Sequence, residues 1–232
     1  QNHQKNNLQI AENLYKQILK IYPNNAKTNF LLGSLSLQIK NFDEAKPLLE
    51  KAIKINPNNS QAQNNLGIVY SEIGEIHKAK KCYEKAIEIE PSLAKAHSNL
   101  GKNFKELGEL KEAVNCFKNA LKYKSKNLLY YFYLSELKKN VLDSKLKDKI
   151  ETIIKSNNST KNNLIYGNFL LSRYEKKEKN YKKEFDYLEK GHLHQFEIEK
   201  KKYITEVDQW LNILPKINKI INFNKSEKNS NR

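Results

Sequence analysis

The chain of 232 residues is long enough for an extended core, but no apolar run reaches membrane-spanning length and no leader-like pattern opens it. A net charge of +16 invites a nucleic-acid reading. Only Arg173 and Arg232 supply guanidinium groups, though, and the many lysines are scattered among Asn, Ile and Tyr, as AT-rich coding would give. Phosphate forks need arginine, so nucleic acid is not the expected partner.

In chain order, Gln1–Asn25 reads as the tail of a first unit. Ala11, Tyr15 and Ile18 mark a second helix that Pro23 ends, with Gln1 falling in the middle of the helix before it. No methionine occurs, even at residue 1, and the expectation is a piece of a longer protein. Ala26–Pro57 follows with Leu32, Gly33, Phe42, Ala45, Leu49 and Ala52; Pro47 should kink its second helix slightly. In Ser60–Pro91, Leu66, Tyr70 and Ile73 make a stripe on one helix, and Gly74 ends it. A second helix is expected over Ile76–Ile89, with Ala79, Tyr83, Ala86 and Ile87 inward. Ala94–Ser125 repeats the plan with Leu100, Gly101, Phe104, Gly108, Ala113, Phe117 and Ala120.

After Ser125 the pattern decays. Leu128–Lys139 reads as one helix, Asp143–Lys155 as another and Ser156–Asn163 as a polar loop. Leu164–Glu178 and Tyr181–Gly191 form a further pair, continued by charged Leu193–Lys202. Ile204–Ile221 is amphipathic, with Trp210, Leu211 and Leu214 on its apolar side, and Lys225–Arg232 has linker composition.

Gly33, Gly67 and Gly101 stand 34 residues apart, as do Ala45, Ala79 and Ala113, and Pro23, Pro57 and Pro91. Cys82 and Cys116 obey the same step, which makes them buried, inert and unpaired thiols and points to a reducing, cytoplasmic setting. That period resembles the tetratricopeptide (TPR) repeat. The resemblance implies an all-α right-handed TPR superhelix, an α-solenoid with a divergent helical C-terminal cap, in which equivalent side chains share equivalent environments. The divisions are 1–125 for the array, 126–222 for the cap and 223–232 for a linker toward a downstream domain.

A narrower resemblance rests on HQKNNLQIAENLY at His3–Tyr15, three good repeats, VLDSKL, and NYKKEFDYLEKGH. This order is similar to bacterial TPR–sulfotransferase fusions, whose last piece reads Asp-Tyr-x-x-Ala-Phe-x-x-Leu-x-x-Gly-Asn. Tyr181, Phe185, Leu188 and Gly191 agree with it; Asn180, Glu184 and His192 depart. The resemblance implies a substrate-recruiting arm, with the sulfate donor PAPS and all catalysis belonging to a domain beyond Arg232. No cofactor, metal or catalytic group is assigned within the chain. A stand-alone scaffold and the arm of an O-linked glycosyltransferase are the alternatives.

The expected site is the concave face made by the first helix of each unit. Its candidate residues are Lys27, Phe30 and Ser34 in the second unit, Gln61, Asn64, Asn65 and Ile68 in the third, and Lys95, Ser98, Asn99, Lys102 and Lys105 in the fourth. Asn65 and Asn99, one repeat apart, resemble the asparagine ladder of the O-linked N-acetylglucosamine transferase arm. A carboxamide both donates and accepts, so such a row can grip a peptide backbone, and its loss should spare stability. The net basic groove suits an acidic peptide or protein. His97 is expected to pack. His192 and His194 lack a third ligand at metal spacing, and a solvated helix end is expected there.

Overall fold

The computed structural model describes residues 2–200; the expected helix Ile204–Ile221 and the linker 223–232 lie outside the described residues. All regular elements among the described residues are helical. They are α1 (Asn2–Ile21), α2 (Ala26–Gln38), α3 (Phe42–Ile55), α4 (Ser60–Glu72), α5 (Ile76–Ile89), α6 (Ala94–Glu106) and α7 (Leu110–Tyr123). Then come α8 (Leu128–Leu137), a 3₁₀ turn at Lys139–Val141, α9 (Ser144–Lys155), α10 (Lys161–Lys177) and α11 (181–200). One expectation fails at the start. α1 is a single unbroken helix, with no turn where the first unit should divide.

Helices α2 and α3, α4 and α5, and α6 and α7 pair as hairpins, and α3 on α4, α5 on α6 and α7 on α8 stack the hairpins in sequence. Pairing depends on close approach. A Cβ on Gly33 would lie 2.9 Å from the Leu49 side chain, one on Gly67 2.6 Å from Tyr83 and one on Gly101 2.9 Å from Phe117. These contacts repeat with the sequence period, and Ala45, Ala79 and Ala113 beside them are wholly buried. Tyr83, Leu100, Phe104, Phe117 and Leu134 form one continuous core across two hairpins and α8.

The repeat also fixes the turns. Lys40, Gly74 and Gly108 all take left-handed φ, 61°, 80° and 78°. After each, an amide closes a 2.8 Å bond to a carbonyl five residues back: Asn41 to Ser36, Glu75 to Tyr70, Glu109 to Phe104. Asn25, Asn59 and Asn127 cap α2, α4 and α8 by accepting from Thr28, Ala62 and Leu129 amides. Part of the asparagine abundance is therefore structural. Pro47 sits inside α3.

By compactness the divide falls between Val141 and Leu142, later than the decay of the repeat at Ser125. α8 stays with the first unit, because Leu128, Tyr130 and Leu134 are buried there against α7 and its neighbours. In the second unit α9 packs on α10 around Ile150, Ile153, Ile165, Leu170 and Leu171. Buried Glu175 pairs with Lys147 at 2.8 Å, and that carboxylate raises the lysine pKa. Lys179 repeats the left-handed turn, and Gly191 presses on Phe169. Tyr181 and Phe185, which carried the narrower resemblance, are each 67% exposed.

Lys40, like Lys179, holds a left-handed turn with a side chain that disfavours it. Lys40→Gly should raise stability by about 1 kcal/mol, and Gly74→Ala should lower it by a similar amount. Chemical denaturation midpoints at constant m-value measure both.

Candidate functional site

On α2, α4 and α6 the helical period leaves one stripe open. It runs Lys27, Leu31, Ser34 and Gln38, then Gln61, Asn65, Ile68 and Glu72, then Lys95, Asn99, Lys102 and Glu106. Each position repeats after 34 residues, so the three stripes lie side by side. The charge along them is uneven. Lys27 and Lys95 stand at the helix starts, Glu72 and Glu106 at the ends, so a basic edge faces an acidic one rather than one uniformly basic surface.

Four expected site residues lie off this stripe. Phe30 packs into the core with Leu49, Leu66 and Val69, while Asn64 and Ser98, its equivalents, are buried. These positions turn toward the adjoining repeat. Lys105 is exposed but pairs with Glu136 of α8 at 2.8 Å.

The asparagines are engaged as well. Asn99 donates through its side-chain amide to Asn64 Oδ1 at 2.9 Å, Asn64 donates to Asn65 Oδ1 at 3.3 Å, and Asn65 donates to Ser34 Oγ at 2.9 Å. Ser34 in turn donates to the Phe30 carbonyl at 2.7 Å. This rail crosses three helices, donating from α6 to α4 and from α4 to α2. Each half-buried amide keeps a second N–H, and Asn99 keeps its carbonyl oxygen.

A hollow of about 650 Å³ opens where α4, α6 and α8 begin and α5 and α7 end. It brings together Gln61, Asn64, Asn65 and Lys95 from the expected set, and adds Glu90, Leu93, Tyr123, Lys124, Asn127 and Tyr130. Apart from Tyr130 on α8, the additions come from the ends of second helices and the connections after them. Sequence reasoning confined to first helices missed them; their signal is adjacency to the closing-proline positions, Pro91 and Ser125. Glu90 accepts from Ser60 at 2.5 Å, which fixes one wall. The nearby His97 ring is buried, stacks on Tyr123 at 5.8 Å and meets the Pro91 carbonyl at 2.9 Å. Asn29, its counterpart two repeats earlier, makes the equivalent bond to the Pro23 carbonyl. Both are joints between repeats.

The remaining reactive groups are spoken for. Burial pushes the Cys82 and Cys116 thiols up to about 11, so few thiolates form near neutrality. His192 rests edge-on against Phe169.

Three predictions follow from these contacts. Asn65→Ala with Asn99→Ala should cost about 1 kcal/mol of stability, read as a lower denaturation midpoint, because both amides bridge helices. Raised thiol pKa values mean that the unfolded chain loses protons first, so stability falls as pH rises from about 9 toward about 11. Cys82→Ala with Cys116→Ala should flatten that decline in pH-dependent melts.

Tetratricopeptide-repeat family models match residues 3–67, 60–93 and 94–127. No curated protein matches the chain. Among solved structures, a crystal structure of MamA is 23% identical over 77% of this chain and 95% of its own, with a TM-score of 0.56. A second MamA crystal structure is 23% identical over 77% and 88%, with a TM-score of 0.55. The TPR domain of Arabidopsis OM64 is 24% identical over 49% and 94%, with a TM-score of 0.48. At such identities the likeness to MamA speaks for the helical fold alone.

Proposed function

Because residues 3–127 belong to the tetratricopeptide-repeat family, a protein-interaction module, we propose that the concave face holds an extended segment of a partner protein and that the chain serves as a scaffold. The hollow between α4, α6 and α8 carries this reading. It joins carboxamides suited to backbone groups with Tyr123 and Tyr130, whose rings suit an inserted side chain.

The charge arrangement supports a partner with acidic residues along one edge. Lys95 and Lys124 flank the hollow, and Lys27 continues the basic edge at the start of α2. Rim charges of this kind steer encounter and register more than they add affinity. The narrower reading, an arm serving a PAPS-dependent sulfotransferase, rests on the sequence alone, on the order of His3–Tyr15, three repeats, VLDSKL and the motif at 180–192. The glycosyltransferase arm rests on the asparagine pair, whose amides here also join the repeats to one another.

A fluorescent Glu- and Ser-rich peptide tests the proposal by anisotropy. Binding should weaken as salt rises, and Lys95→Glu should weaken it further without lowering the melting temperature. Affinity indifferent to both changes would replace the acidic partner with apolar anchoring at Tyr123 and Tyr130. Absence of binding to peptides of either kind would remove the groove as the working surface.

A further inference from the structure

Asn25, Asn59 and Asn127 occupy one repeat position and lend a side-chain oxygen to an amide at the start of α2, α4 and α8. The fourth residue at that position is Leu93. It has no oxygen to give, and α6 begins without a side-chain cap. The Ala96 and His97 amides turn back to the Leu93 carbonyl, at 2.9 and 3.3 Å. The Ala94 and Lys95 amides before them have no partner among the described residues. Leu93, Ala94 and Lys95 all line the hollow, so two free N–H groups and the positive end of a helix dipole border it.

A second feature at the same place points to a ligand. Tyr130 stands where the other repeats carry the smaller Thr28, Ala62 and Ala96. Its ring packs with Ala94 and Ala120, and the residue is 4% exposed. Yet its hydroxyl has no hydrogen-bond partner among the described residues, nor is that oxygen sealed in the interior. It opens into the hollow, which Tyr130 lines beside the start of α6. Burial holds the phenol above its ordinary pKa, so the group stays protonated and donates.

Lys95 and Lys124 add ammonium groups to the same lining. One carboxylate, Glu90, opposes them, and it already accepts from the Ser60 hydroxyl at 2.5 Å. A carboxylate ligand would bring two oxygens to this set of amide, phenol and ammonium donors. A phosphate monoester brings three, with a charge of about −1.5 to −2. Building on the reading of the concave face as a peptide-holding groove, we propose that the hollow takes a phosphoserine or phosphothreonine of the partner, its phosphate seated at the start of α6 with Tyr130 donating to it. Phosphorylation of the partner then governs how firmly it docks.

Three fluorescent peptides of one Glu- and Ser-rich sequence, carrying Ser, phosphoserine or Glu at the centre, are titrated into the full chain and read by anisotropy. The phosphoserine peptide should bind at least about tenfold more tightly than either of the others, the scale of a charge-assisted hydrogen bond. Tyr130→Phe keeps the ring on Ala94 and removes the hydroxyl alone. It should cut the ratio of serine to phosphoserine dissociation constants at least about fivefold, at an unchanged melting temperature. Lys124→Gln, a change at an exposed side chain, should lower the same ratio. Equal binding of the serine and phosphoserine peptides would overturn the proposal and leave the groove standing. Equal binding of the Glu and phosphoserine peptides would overturn it too, as would a ratio indifferent to Tyr130→Phe. Displacement of the phosphopeptide by a more tightly bound single-stranded oligonucleotide would assign the phosphate to nucleic acid and overturn it equally. No binding by any of the three peptides would remove the groove and this proposal together.

Discussion

Everything in the array depends on how closely two helices can lie. Where Gly33, Gly67 and Gly101 meet Leu49, Tyr83 and Phe117, the backbone of one helix rests on the side chain of its partner. No atom larger than hydrogen fits between them. That contact sets the spacing of each hairpin, and the spacing sets which side chains reach the next hairpin and which stay open. Interiors packed this tightly tolerate little change in volume, and the same residue types therefore return at the same step. The open stripe on the first helices is what remains after this packing is satisfied.

The solenoid was legible because the signals that encode it are local and repeated. Gly74 and Gly108 announce their turns, the alanines announce close packing, and the boundary Ile76–Ile89 falls where the stripe and the following proline place it. The start of α1 was misread for the same reason. Periodicity extends a pattern backward, but the turn at position 6 would need a left-handed residue and a cap, and Asn6 lies within an uninterrupted helix. The late boundary at Val141 was hidden because Leu134 joins the core through contacts distant in sequence, which no spacing reports.

The groove was legible only in part. A helical wheel separates the buried side of a helix from its open side, and Lys27, Asn65, Asn99 and Lys102 fell correctly on the open side. It does not show where a neighbouring hairpin covers the flank, and so Phe30, Asn64 and Ser98 were taken as surface. Nor does it pair Asn99 with Asn64 across two helices. Tyr123 and Glu90 enter the hollow from second helices, a contribution that emerges only once consecutive hairpins are stacked.

The lysine at the first hairpin turn has a consequence for how the array comes apart. A stack in which each hairpin touches only its neighbours opens from whichever end is held least firmly. Here the α2–α3 hairpin turns at Lys40 in a disfavoured backbone region, whereas the two hairpins after it close on glycine turns. The α2–α3 hairpin therefore opens at a lower cost than the glycine-turned hairpins, with amide exchange faster at its turn than around Phe117. The hairpin anchoring the near end of the amide rail is thus the first to loosen, and it carries its share of the groove with it.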